Sequence, residues 1–291
     1  MITFSFGRNW KRYVRYVLNE EILQNAKNSL VRYFGEDFNF SDKIFVDIGC
    51  GSGIFSLCAL RLGVKKVISV DVDKDSIEAT LMTRDRFGSA FKDKWEIVEG
   101  SVLDSIFMED LQESLKGENL IVYSWGVLHH TGNLPLAMDN VMRLLSAGGG
   151  GDYAYISLYN KTEASPWWHS VKEYYNQTNG LMQFLMIVFY TLFLTFEDVR
   201  KGRGLNMYDK NRGMYKITDI IDWLGGLPYE PIENDRVIEI WKENGFECIK
   251  NSPTAYYKPT YPSGRLYRLF VYLKVVGLGC NEFLFCKKVI L

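Results

Sequence analysis

Apolar residues change their period along this chain in a regular order. From Lys43 to Ile48 they run almost without a break, as in a buried strand, and from Ile54 they return at helical spacing (Phe55, Leu57, Cys58, Leu60, Leu62). The same exchange repeats: a strand over Lys66–Asp71, a helix over Lys74–Phe87, and strands at Trp95–Val98 and Leu120–Ser124. A helix over Leu134–Leu145 is stopped by Gly148-Gly149-Gly150-Gly151, after which Tyr153–Leu158 forms a fifth strand. Strands alternating with helices predict an α/β fold with a parallel sheet. Ahead of it, Trp10, Tyr13, Val14, Val17, Leu18, Ile22, Leu23, Ala26, Leu30 and Phe34 recur at helical spacing, so residues 1–40 are expected to form an amphipathic helical cover.

The pattern divides the chain into that cover (1–40), a core formed by 41–160 and 234–291, and an insertion over 161–233. The insertion is far longer than an ordinary strand-to-helix connection, and it sits over the strand ends. It holds Trp167, Trp168 and His169, then the apolar run Leu181–Leu194. That run is shorter than the ~20 residues needed to cross a bilayer. It reads as a buried or dimer-forming helix, or as an interfacial helix that reaches lipid-borne ligands. Between the last two strands, residues 251–277 interleave aromatics with cations (Tyr256, Tyr257, Lys258, Tyr261, Arg265, Tyr267, Arg268). An amphipathic helix over Gly264–Val275 with Leu266, Leu269, Phe270 and Leu273 inward is one reading; a surface for nucleic acid, sugar or membrane is the other.

A net charge of −1 on 291 residues argues against a general polyanion binder, whose affinity rests on many cation–phosphate contacts. Five scattered cysteines form neither a CxxC pair nor a disulfide framework and are expected as reduced thiols. No apolar leader opens the chain, so the expectation is a cytoplasmic protein, with peripheral membrane contact through 181–194 or 264–276 and a homodimer left open.

The candidate chemistry lies in Asp47-Ile48-Gly49-Cys50-Gly51-Ser52-Gly53, a tight turn between a strand and a helix N-terminus. Glycines there let a ligand approach the backbone, and the first helical turn offers free N–H donors. A dinucleotide fingerprint would need Gly or Ala where Ile54 stands. Asp-x-Gly-x-Gly-x-Gly instead resembles motif I of the class I S-adenosylmethionine (SAM) methyltransferases. Companion elements follow in order: Asp71 closes the second strand, Gly100-Ser101-Val102 follows the third, and Ser124-Trp125-Gly126-Val127-Leu128-His129-His130 follows the fourth. The resemblance implies a Rossmann-like, doubly wound class I methyltransferase sheet with the helical cover and a largely helical insertion after the fifth strand. It implies SAM as cofactor, held by Asp47, Gly49, Cys50, Gly51 and Gly53, with Asp71 on the ribose. Val72, Ser101 and Val102 lie around the adenine, with Asp104 as another amino contact, and Ser124 and Trp125 close the cofactor site.

Longer phrases, among them Leu158-Tyr159-Asn160, Arg212-Gly213-Met214, Asp222-Trp223-Leu224-Gly225-Gly226 and Gly279-Cys280-Asn281-Glu282-Phe283, resemble a bacterial subgroup similar to the ubiquinone-pathway O-methyltransferases. On that likeness the leading expectation is O-methylation of a hydroxylated small molecule, sugar or lipid-linked intermediate. The alternatives are a non-catalytic SAM-binding module and an N-methyltransferase acting on a macromolecule. His129 is expected as base or acceptor-orienting group, with His130 beside it, and Trp10, Tyr159, Arg212 and Asp222 as substrate contacts. The turn after the fourth strand lacks clustered acids, so no metal is expected.

Overall fold

The computed structural model describes residues 4–200, 208–209, 214–253, 269 and 279–287. Two helices open the chain, α1 (Phe6–Tyr16) and α2 (Glu20–Phe34). They are separated where Asn19 turns its side chain to accept a hydrogen bond from the Ile22 N–H (3.0 Å), an N-cap that starts α2 afresh. Then come β1 (Lys43–Ile48), α3 (Ile54–Arg61), β2 (Lys66–Asp71), α4 (Lys74–Phe87), β3 (Trp95–Glu99), α5 (Ser105–Ser114), β4 (Asn119–Trp125), α6 (Leu134–Ser146) and β5 (Tyr153–Tyr159). The insertion carries α7 (Ser165–Gln177), α8 (Gly180–Arg200), a two-strand ribbon of β6 (Tyr208–Asp209) and β7 (Met214–Tyr215), and α9 (Lys216–Gly225). The chain returns through α10 (Asn234–Glu243), β8 (Phe246–Ser252) and β9 (Cys280–Lys287).

Seven strands form one sheet in the order β3-β2-β1-β4-β5-β9-β8. The first five are parallel, and β9 runs antiparallel between β5 and β8. The order reverses between β1 and β4, and in open α/β sheets the crevice at such a switch holds the ligand. Strand β1 is buried along its whole length, which explains its unbroken apolar run. Ile44, Val46 and Ile48 pack with α5, α6 and α10 on one face, while Phe45 joins α2, α3 and α4 on the other. Its one cation is accommodated: Lys43 Nζ donates to the Gly151 carbonyl (3.2 Å) and lies over the rings of Phe38 and Tyr153 (5.8 and 5.5 Å).

A third core lies within the insertion, where Trp168, Tyr190, Trp223 and Leu224 pack together. Helix α8 is two-sided. Met186, Ile187, Tyr190, Phe193 and Leu194 face that core, whereas Leu181, Phe184, Phe189, Leu192 and Phe196 are exposed. No described helix is long and apolar enough to cross a membrane. The helix expected over Gly264–Val275 falls outside the described residues apart from Leu269. The amphipathic-helix reading turns that leucine inward; in the structure it is half exposed.

Candidate functional site

The β1–α3 turn is fixed from below. The N–H groups of Gly49 and Cys50 both donate to the Val70 carbonyl (2.7 and 3.0 Å), and the Thr80 and Thr83 hydroxyls donate to the carbonyls of Gly51 and Ser52 (3.2 and 2.7 Å). Gly51 has φ +54°, and a Cβ there would lie 2.9 Å from the indole nitrogen of Trp10. Only glycine lets α1 close over the turn at this point.

Two carboxylates frame the turn. Asp47 is buried and accepts from Ser56 Oγ (2.5 Å); Ser69 Oγ lies 2.6 Å from Ser56 Oγ, and Trp95 Nε1 donates to Ser69 (2.8 Å). This relay from β3 to β1 holds the Asp47 carboxyl at the turn, and burial pushes its pKa up to about 7. Asp71, at the end of β2, accepts from the N–H groups of Gly51 (3.0 Å) and Asp73 (2.9 Å). Burial raises it to about 6, with those two hydrogen bonds opposing the rise.

Above the turn lies a cavity of about 570 Å³, within the range of small-ligand sites. Its end over the turn brings together Asp47, Gly49, Cys50, Gly51, Asp71, Val72, Ser101, Val102 and Trp125. Gly53 and Ser124 are not part of the lining. Gly53 is the left-handed residue that starts α3, and Ser124 donates its hydroxyl to the Ile48 carbonyl (3.0 Å), tying β4 to β1. Asp104 also stands apart, because its carboxylate caps α5 by accepting from the N–H groups of Ile106 and Phe107.

The other end is assembled from segments far apart in sequence: Phe4 and Phe6, Val127 and His130, Tyr159, Asp219 and Asp222 on α9, Leu227 and Pro228, and Gly279 and Cys280. Trp10, Tyr159 and Asp222 line the cavity, while Arg212 lies outside the described residues. The histidines separate. His129 is fully buried and off the lining; its Nδ1 accepts from the Tyr159 N–H (3.3 Å), and its ring packs on Tyr159. His130 lines the cavity, with Nδ1 donating to the Pro228 carbonyl (2.5 Å), so Nε2 keeps its lone pair. Burial, reinforced by the Lys172 charge, lowers the His130 pKa to about 3. The imidazole is neutral at any physiological pH.

Phe4, Phe6, Asp219 and the Leu227-Pro228 pair were missed by the sequence reading. Asp219 carried a signal, since it stands three residues before Asp222 and shares its helix face. Among the described residues, five aspartates line the cavity (Asp47, Asp71, Asp73, Asp219, Asp222) and no lysine or arginine does.

Helix α1 closes the cavity. It is fastened to α4 through Asp73, whose carboxylate accepts from Ser5 Oγ and the Gly7 N–H (both 3.0 Å), and through Lys11, which pairs with Asp75 and Glu78. It is fastened to α9 through Asn9, whose amide donates to the Thr218 carbonyl (3.0 Å) and to Asp222 Oδ1 (2.9 Å). At Gly7 the backbones are in contact, and a Cβ would meet the Ser76 nitrogen at 2.4 Å.

Comparison with known proteins bears on the two ends unequally. Residues 33–97 match the family model of ribosomal protein L11 methyltransferase (PrmA). The L11 methyltransferase of Colwellia psychrerythraea is 49% identical over 51 residues, 18% of this chain and 17% of that protein. The chain thus aligns with only a small fraction of the relatives' length, and the stretch matched holds the turn and Asp71. Among solved structures, PKMT2 from Rickettsia typhi in complex with AdoHcy superposes with a TM-score of 0.55 at 16% identity, over 94% of this chain and 54% of that one. A SAM-dependent methyltransferase from Anabaena variabilis superposes with a TM-score of 0.51 at 11% identity, over 98% and 94% of the two chains. The fold is that of the class I SAM-dependent methyltransferases.

Proposed function

We propose that this chain is a SAM-dependent methyltransferase acting on a macromolecule, with protein as the acceptor. The observation that carries the cofactor assignment is the Asp47–Gly53 turn closed against Asp71, which lies inside the stretch similar to the L11 methyltransferases. SAM would sit with its ribose hydroxyls on Asp71, its adenine beside Val72, Ser101 and Val102, and its methionine group over Gly49 and Gly51 beneath Trp10. The reactive methyl would then face Val127, His130 and Tyr159. Bound SAM supplies an electrophilic methyl on a sulfonium, and the protein's contribution is to aim a nucleophile at it and keep water out.

The names of the relatives support a protein acceptor, moving the reading from small-molecule O-methylation to the macromolecular alternative. O-methylation of a small hydroxylated acceptor keeps one specific observation in its favour. The cavity is roofed by α1 and walled by Phe4, Phe6 and Tyr159, a shape suited to a ligand held entirely inside. The test uses methyl-labelled SAM with ribosomal proteins and, separately, a small-metabolite extract. Label in the protein fraction supports the proposal, label only in metabolites replaces it with the second reading, and failure to bind S-adenosylhomocysteine removes both.

A further inference from the structure

Helix α8 is apolar on both sides, and its own chain uses only one of them. The inner side is fixed: Tyr190 is buried with its ring 5.7 Å from that of Trp168, Gln183 Nε2 donates to the Tyr175 carbonyl (2.9 Å), and Asp198 pairs with Lys216 (2.6 Å). The outer side therefore cannot turn inward. Along it Leu181, Leu185, Val188, Leu192 and Val199 are exposed in the four- and three-residue steps of a heptad seam, interrupted only at Thr195, and Phe184, Phe189 and Phe196 stand beside them. At the exposures of these side chains, 66% for Phe189, Leu192 and Phe196, the stripe presents on the order of 1,000 Å², where the largest patch of an ordinary monomer is about 300–600 Å² and a standard interface takes about 800 Å² from each partner. A helix that is apolar all round belongs in an interior. Among the described residues this side of α8 has no cover.

The chemistry of this face selects its partner. From Gly180 to Phe196 there is no charged residue, and the first two that follow, Glu197 and Asp198, are acids. A helix that lies on an anionic lipid surface carries Lys or Arg along its polar side, and this stretch has none. A heptad seam instead fits a second helix of the same spacing, whose side chains fill the holes between its own. The seam is also nearly symmetric about residue 190. An antiparallel pair centred there sets Leu181 level with Val199, Phe184 with Phe196, and Val188 with Leu192. One surface then serves both partners, as a two-fold axis requires. We propose that the chain forms a homodimer in which α8 packs antiparallel on the α8 of a second copy, the two helices crossing near residue 190. Each α8 then lies between the second copy and the core it shares with α9, the helix that brings Asp219 and Asp222 to the cavity.

The experiment measures the mass of the full chain by sedimentation equilibrium, for wild type and for Val188→Glu/Leu192→Glu. Both positions are exposed in the single chain, and in the pair they bring four carboxylates to the crossing point. We expect wild type at the mass of two chains at about 10 μM, and association weakened about a hundredfold or more in the variant. A second variant, Leu181→Cys/Val199→Cys, keeps the proposal falsifiable if the glutamates disturb folding. These two positions lie about 27 Å apart along one helix, too far for a disulfide within it, so oxidation joins them only between copies. We expect a covalent dimer on a non-reducing gel, which wild type with its own five cysteines does not give. A wild type of single-chain mass overturns the proposal, and its sedimentation with phosphatidylglycerol vesicles would give the face to lipid instead. A dimer that the glutamates leave intact, or that the introduced cysteines fail to join, has its interface elsewhere and overturns the proposal as well.

Discussion

The two ends of the cavity are built by different means. The cofactor end is local: a few residues of turn, one carboxylate at the end of the next strand, and backbone hydrogen bonds among neighbours in the sheet. The acceptor end joins α1, the turn after β4, α9, the Leu227-Pro228 stretch and the start of β9, which meet only when the whole chain has folded. A local site keeps its geometry when distant parts of the chain change, so it tolerates divergence elsewhere. The family model of the L11 methyltransferases matches residues 33–97, the stretch that holds the turn and Asp71.

Substitutions sharpen this contrast. Asp71→Ala removes the group proposed above for the ribose hydroxyls and frees the Gly51 and Asp73 N–H groups; loss of two charge-assisted hydrogen bonds of about 1.5 kcal/mol each corresponds to roughly a hundredfold weaker S-adenosylhomocysteine binding in calorimetry. An unchanged affinity would sink the cofactor assignment. Gly7→Val forces the α1 backbone off α4, and we expect S-adenosylhomocysteine to bind about tenfold more weakly and proteolysis to cut near residue 18. If neither occurs, α1 is not the roof of the site. His130→Ala should lower the methyl-transfer rate about tenfold through lost orientation while leaving S-adenosylhomocysteine affinity unchanged. The reverse pattern would place His130 at the cofactor end.

The smallest effect is a pH dependence. Asp47 is raised to about 7 in the folded chain, against about 4 unfolded, so folding favours its protonated form. Its contribution to stability is fully present below about pH 4 and is lost as pH rises through about 7. Asp47→Asn removes that loss. The melting temperature of the variant should gain on wild type between pH 4.5 and 7.5 in the absence of ligand, and a constant difference would count against a buried, uncharged Asp47.

Sequence carried the local site and most of the sheet, because β1 and β2 announce themselves by apolar runs and the turn by its glycines. It carried less of the acceptor end. Nothing in Phe4 or Phe6 marks them as cavity walls, since their position comes from the packing of Gly7 on α4. The two histidines are adjacent in sequence and equivalent on paper. Only the backbone of the turn decides that His129 points into the protein and His130 into the cavity. Ser124 likewise sits at a strand end that binds ligands in such folds, yet its hydroxyl is spent on the neighbouring strand. Helix α5 went unnoticed because its few apolar residues give a weak period, and its start is set by the Asp104 cap.

Helix α1 has a thermodynamic meaning beyond its contacts. It rests on Trp10 above the turn at one place and on Asn9 beside Asp222 at the next. On the methyltransferase reading proposed above, one wall would serve both cofactor and acceptor, and a ligand that fixes the wall would favour the other. Their affinities are then coupled by the same factor in both directions.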